Sequence, residues 1–152
     1  MEPPLTPFMA RALAEAEAAG KRGEVPVGAV LVDGRSGRVL AAAGNRCEEL
    51  NDPTAHAEML VIREAAAGRG APRLEGADLY VTLEPCAMCA SAVSLARVRR
   101  LTFGAYDPKG GGVEHGARVF DQPTCHHRPE VVGGVEETAA ARLLKDFFSG
   151  RR

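Results

Sequence analysis

The stretch "DLYVTLEPCAMCASAVSLARVRRLTFGA", residues 78–105, decides the fold. Its first six residues, "DLYVTL" (78–83), have the β-branched and aromatic content of a strand. Pro85 then presets the backbone for a helical first turn, and "CAMCASAVSLARV" (86–98) continues as a helix. "RLTFGA" (100–105) reads as the next strand. A strand, a helix and a strand in that order predict a parallel pair joined by a right-handed crossover. The same stretch sets Cys86 and Cys89 at i and i+3 of one helical turn, so that both sulfurs project from the same side. The positive end of the helix dipole lies there and favours thiolates.

Working outward toward the N-terminus, Thr6 and Pro7 form a helix start, with an N-cap followed by proline at the first helical position. Phe8, Met9, Ala12, Leu13 and Ala16 continue at helical spacing up to Gly20. "VGAVLV" (27–32) and "RVLAAA" (38–43), split by "DGRSG", read as an antiparallel hairpin. Asp52 and Thr54 around Pro53 signal a second helix start, opening "AHAEMLVIREAAAG" (55–68) with Ala55, Met59, Ile62 and Ala66 toward the core.

Toward the C-terminus, residues 106–129 are rich in turn formers and weak in periodicity. A loop of that length is functional or partly ordered by short helices. "EVVGGV" (130–135) is a weak final strand, and residues 136–152 form a terminal helix with Ala139, Leu143, Leu144 and Phe147 on one side. The fold class is α/β, a three-layer sandwich around a five-stranded mixed sheet.

A length of 152 residues with 45% hydrophobic content fits one domain, 1–152, with its own core and no need of disulfides. The opening residues lack the basic start and unbroken apolar core of a signal peptide, and no run approaches membrane-spanning length. A cytoplasmic location is expected, and there four cysteines serve as ligands, catalysts or core fillers rather than bridges. Formal net charge is −1, so any nucleic-acid binding must use local patches. The candidates are Arg97, Arg99 and Arg100, and Arg142, Lys145, Arg151 and Arg152; such runs are otherwise solvated faces.

A redox pair would look locally like Cys86 and Cys89. His56, at the other helix start, adds an imidazole, and one nitrogen with two sulfurs is a three-ligand zinc set with the fourth corner open to water. Glu58 sits two residues further on, about 200° around an ideal helix, yet near a helix start both side chains can border one cavity. A structural zinc site has no task for that carboxylate, whereas a catalytic one uses it to move protons. His-x-Glu, a gap, then Pro-Cys-x-x-Cys is the signature of zinc-dependent nucleobase deaminases.

The likeness extends further. "EVPVGAVLV" (24–32), "GNR" (44–46), "NDPTAHAE" (51–58), "LYVTLEPCAMCASA" (79–92), "FGAYDPKGG" (103–111) and "LLKDFFSGRR" (143–152) closely resemble the bacterial tRNA-specific adenosine deaminases. The first four are shared in part with guanine deaminases. The resemblance implies a cytidine deaminase-like fold, one zinc per subunit on His56, Cys86 and Cys89, and Glu58 as proton shuttle. It implies that Asn45 contacts the purine and that the Ala57 amide bonds the group at C6. The implied reaction is hydrolysis of adenosine to inosine at the wobble position of an arginine tRNA, with zinc-held hydroxide attacking C6 and no nucleotide cofactor. The implied partners are a tRNA anticodon stem-loop and a second copy of the chain. Phe147, Phe148, Arg151 and Arg152, with Asp107 and Lys109, are the expected groups around the mouth of the site.

Two alternatives share the zinc centre. One is a guanine or other free-nucleobase deaminase. The other is a structural zinc module closed by Cys125 or His126, since "TCHHRPEV" (124–131) departs from the family's commoner asparagine, histidine, arginine run. Cys47 is read as a passive thiol bordering the site.

Overall fold

The computed structural model describes residues 7–150, so the expected cap Thr6 and the terminal Arg151 and Arg152 lie outside the described residues. The strands are β1 (Gly28–Asp33), β2 (Val39–Gly44), β3 (Ala77–Leu83), β4 (Arg100–Ala105) and β5 (Glu130–Val132). The helices are α1 (Pro7–Lys21), α2 (Cys47–Leu50), α3 (Ala57–Arg69), α4 (Ala87–Ala96) and α5 (Glu137–Ser149), with a 3-10 turn at Val119–Asp121. No helix among the described residues is long and apolar enough to cross a membrane.

The sheet order is β2-β1-β3-β4-β5. β1 runs antiparallel to both β2 and β3, while β3, β4 and β5 are mutually parallel, so the mixed sheet is as expected. Within the parallel pair Leu79 faces Leu101 and Val81 faces Phe103, both fed into one core by the period-2 alternation of strands. That core also takes Ala29 and Leu31 of β1 with Ala57, Val61 and Ala65 of α3 and Ala90 and Val93 of α4. The intervening Val30, Val32 and Tyr80 point the other way, onto Met9 and Ala12 of α1. Helices α1 and α5 therefore cover one face and α3 and α4 the other, giving three layers.

The α1 layer sits unusually close to the sheet. Its buried stripe is Met9, Ala12, Ala16 and Ala19, three of them alanine. Gly28 of β1 lies directly under the Ala12 carbonyl, and a Cβ on Gly44 would fall 2.7 Å from the Glu15 carbonyl oxygen. Any side chain at Gly28 would push the helix off the sheet.

Four local expectations need correction. Asp52 and Thr54 do not cap α3; they build a turn ahead of it, and the helix starts at Ala57 with His56 as its N-cap residue. Its core face is consequently Ala57, Val61 and Ala65, with Met59, Ile62 and Ala66 only half-buried beside them. In α5, Ala139 is exposed and Ala140 takes its place, drawn in because Gly104 of β4 leaves room for its methyl. β5 stops at Val132, where Gly133 lies under the rings of Phe103 and Tyr106 and the ladder ends.

Candidate metal centre and active site

Helices α3 and α4 point their N-termini at the same place. His56 precedes α3 with φ −71° and ψ 151°, and Cys86 precedes α4 with φ −71° and ψ 175°. Neither side chain caps its own helix; the two turn toward each other. The His56 Nδ1 atom is 3.7 Å from Cys86 Sγ and 3.5 Å from Cys89 Sγ. All three ligand atoms lie within 4.8 Å of one another. Tetrahedral zinc with bonds of about 2.0 Å to nitrogen and 2.3 Å to sulfur requires ligand separations of roughly 3.5 Å, so the donor set fits the ion both chemically and in spacing.

Cys125 and His126 do not belong to this group. The Cys125 thiol lies 3.4 Å from Ser94 Oγ and donates to the His127 carbonyl at 3.2 Å, while His126 is exposed. His56, Cys86 and Cys89 are the one such His/Cys/carboxylate cluster among the described residues. The closed module is therefore corrected: its proposed fourth ligand is anchored on α4, away from the ligand atoms.

Glu58 is 4% exposed, and its carboxyl interacts electrostatically with His56, Cys86 and Cys89. The helical turn that separates it from His56 thus still leaves both on one cluster. Burial pushes its carboxyl up to about 7; the Cys86 charge acts in the same direction and His56 against it. A group poised there can both take and give a proton near neutral pH. Cys86 is held down at about 4, first by the hydrogen bond from the Cys89 thiol, with burial opposing and His56 assisting. The same pairing and burial push the Cys89 thiol upward. A metal must displace its proton.

The start of α3 is fixed by Asn45, just past the end of β2. Asn45 Oδ1 accepts the Ala57 N–H at 2.7 Å, and Asn45 itself is held by its own N–H to the Val27 carbonyl at 3.1 Å and by Arg22, which donates to its carbonyl at 3.2 Å. Asp52 Oδ1 takes the Thr54 N–H and hydroxyl at 2.8 and 2.7 Å, and the Thr54 carbonyl takes the His56 N–H at 2.8 Å. Asn45 also lines a cavity of about 340 Å³ with Gly23, Glu24, Val25, Cys47, Glu48 and Phe147. Glu24, buried there, accepts the Glu48 and Glu49 N–H groups at 3.0 and 2.8 Å and so starts α2. Cys47 borders this cavity, its thiol pushed up by burial.

The start of α4 is fixed from behind. Glu84 is fully buried, and its carboxylate collects donors from the loop that follows β4. Burial alone would raise its pKa; the Asp107 N–H, His115 and the Glu114 and Val113 N–H groups together hold it below the ordinary carboxylate value.

The remaining site candidates are scattered. The Ala57 N–H is engaged by Asn45 rather than open to a purine. Asp107 turns its carboxylate onto Lys109 and Gly110 N–H at 3.2 and 2.9 Å, closing its own loop. Phe147 lines the cavity and meets the 55% exposed Phe148 edge to face, ring centroids 5.3 Å apart. The central basic patch is engaged within the chain. Arg99 forks onto Asp78 at 2.9 and 2.6 Å, Arg100 pairs with Glu130 at 3.1 Å, and Arg97 donates to the His126 carbonyl at 2.8 Å, so these residues fasten sheet and loop. Sequence reasoning missed Glu24, Glu84 and Arg22 as organisers, because their partners are main-chain groups distant in sequence.

With two helix starts offering a histidine and two cysteines beside a buried glutamate, the class is that of the zinc-dependent deaminases. The family model for the cytidine and deoxycytidylate deaminase zinc-binding region matches residues 4–105. A tRNA-specific adenosine deaminase of Agrobacterium fabrum is 60% identical over 147 residues, 97% of this chain and 95% of the relative. A solved structure from work on A-to-I editing by tRNA:A34 deaminases at the wobble position of transfer RNA is 62% identical, with TM-score 0.87, covering 90% of this chain and 98% of that one. The guanine deaminase of Bacillus subtilis is 38% identical with TM-score 0.61, over 65% of this chain and 62% of that one. The chain belongs to the tRNA-specific adenosine deaminases, zinc-dependent hydrolases of the cytidine deaminase fold.

Proposed function

We propose that the protein converts the wobble adenosine of an arginine tRNA anticodon to inosine by hydrolysis, with release of ammonia. The observation that carries this reading is the nearly buried Glu58 carboxyl in the first turn of α3, two residues past His56 of the three-ligand set His56, Cys86, Cys89. When bound, zinc supplies a Lewis acid that lowers the pKa of water toward ~7 and so makes a nucleophile available for C6 of adenine. Glu58 accepts one proton of that water and delivers it to N1 of the purine, then takes the second from the oxygen now bonded to C6 and passes it to the departing amine. Water and adenosine thus become inosine and ammonia with protons balanced. Asn45, whose carbonyl oxygen is fixed by Ala57, keeps its NH₂ group as the donor for the purine; Ala57 acts through it.

An anticodon loop displays unstacked bases, so the target nucleotide enters the cavity at less cost than from a duplex. Phe147 in the cavity and exposed Phe148 provide stacking surface. Arg142 and Lys145 on the exposed side of α5, with Arg151 and Arg152 beyond it, provide phosphate contacts, and Asp107 meets the flanking nucleotide from its loop. A homodimer completes this surface, and the protein works in the cytoplasm.

The test is inosine formation by zinc-loaded protein on an arginine tRNA with adenosine at the wobble position, with free guanine, adenosine and cytidine assayed in parallel. Inosine at that position alone is expected. Ammonia from free guanine with the tRNA unchanged would overturn the substrate while keeping the zinc chemistry.

A further inference from the structure

We propose that Glu84 is a positioning residue for the zinc ligand Cys86, acting through the loop 107–115 that its carboxylate gathers. The proposal rests on the zinc reading above and adds to it what holds the second ligand in place.

Glu84 receives five hydrogen bonds on two oxygens. Oε1 takes the Asp107 N–H and His115 Nδ1, each at 2.9 Å; Oε2 takes the N–H groups of Val113, Glu114 and His115 at 3.2, 2.9 and 3.1 Å. A carboxylate is acceptor-only, and this cage consists only of donors. The gathered loop then presses on the ligand turn. Gly112 donates to the Pro85 carbonyl at 2.8 Å, and a Cβ at Gly112 would fall 2.5 Å from the Ala87 nitrogen and 2.8 Å from the Cys86 carbonyl carbon. Gly111 is equally confined, its Cβ position lying 2.5 Å from Glu84 Oε2. On the other side the Glu84 N–H is tied to the Ala105 carbonyl at 2.8 Å, so residues 84–87 are clamped between β4 and the loop.

The Glu84 carboxylate binds loop groups and no ligand atom, so its effect runs through backbone position. Zinc tolerates ligand errors of only about 0.2 Å. Glutamine keeps the shape of Glu84 but turns an NH₂ group toward two or three donors in either orientation, which opens the cage.

The experiment compares the parent, Glu84→Gln and Val32→Ala, the last being a cavity variant in the opposite core cluster. Zinc affinity is measured by chelator competition, the visible spectrum is recorded on the cobalt(II)-substituted proteins, and unfolding midpoints are taken on the metal-free proteins. Glu84→Gln should bind zinc ten- to a hundredfold more weakly and shift the cobalt bands. Val32→Ala should lose midpoint yet keep parental affinity and bands. Parental affinity and spectrum in Glu84→Gln overturn the proposal, as does an equal loss of zinc in Val32→Ala. Should Glu84→Gln fail to fold, His115→Ala removes one donor, with a several-fold weaker affinity expected and parental affinity contradicting the proposal. A parent that takes up no zinc contradicts the zinc reading itself, which keeps the two failures apart.

Discussion

The starts of α3 and α4 are built on the same plan and held by different means. In both, the residue that would ordinarily cap the helix is a metal ligand, so its side chain is not available for capping. At α3 the free amide of Ala57 is taken by Asn45, a side chain that also lines a cavity shared with Phe147. At α4 the ligand turn is braced by a buried carboxylate with no access to that cavity. On the proposed function the first start also serves recognition, while the second serves geometry alone.

The comparison breaks most easily at Asn45. Asn45→Ala removes both the Ala57 acceptor and the donor offered to the purine, a loss of about 2–3 kcal/mol in transition-state binding or some 30- to 150-fold in kcat/KM. The decisive feature is that zinc content stays near one per chain; if the variant instead loses zinc and keeps KM, recognition does not reside at this start. Asp52→Ala sharpens the same side, since it dismantles the turn before His56 without touching the cavity. Its cost is about 1 kcal/mol of stability, read as a lowered denaturation midpoint, with KM within about twofold of the parent. The smallest effect belongs to Cys125→Ala with His126→Ala, for which zinc titration should give the parental stoichiometry and affinity.

The strand, helix, strand core was legible because Pro85 and the apolar runs set both element type and direction. The ligand trio was legible because each pair is encoded locally, Cys86 with Cys89 by helical spacing and His56 with Glu58 by a short motif. What failed was helix phase. Helix α3 has Ala57, Ala65, Ala66 and Ala67, and α5 has three consecutive alanines, so small residues lie on several faces and periodicity cannot choose among them. The partner surface chooses, as Gly104 does for Ala140. The braces Glu24 and Glu84 were invisible for another reason: they bind main-chain N–H groups 23 to 31 residues away, which leave no side-chain pattern in the sequence. Asp107, expected at the mouth of the site from its family motif, also closes the turn that carries it, a local role the motif does not reveal.

The account turns on a division of labour, in which His56, Cys86 and Cys89 hold zinc and Glu58 moves protons. The most direct measurement is zinc per chain together with single-turnover inosine formation on tRNA for Glu58→Ala beside Cys89→Ala. The account predicts one zinc and a rate lowered by about 10²–10⁴-fold in Glu58→Ala, against loss of both zinc and turnover in Cys89→Ala. Near-parental turnover in zinc-loaded Glu58→Ala would contradict it.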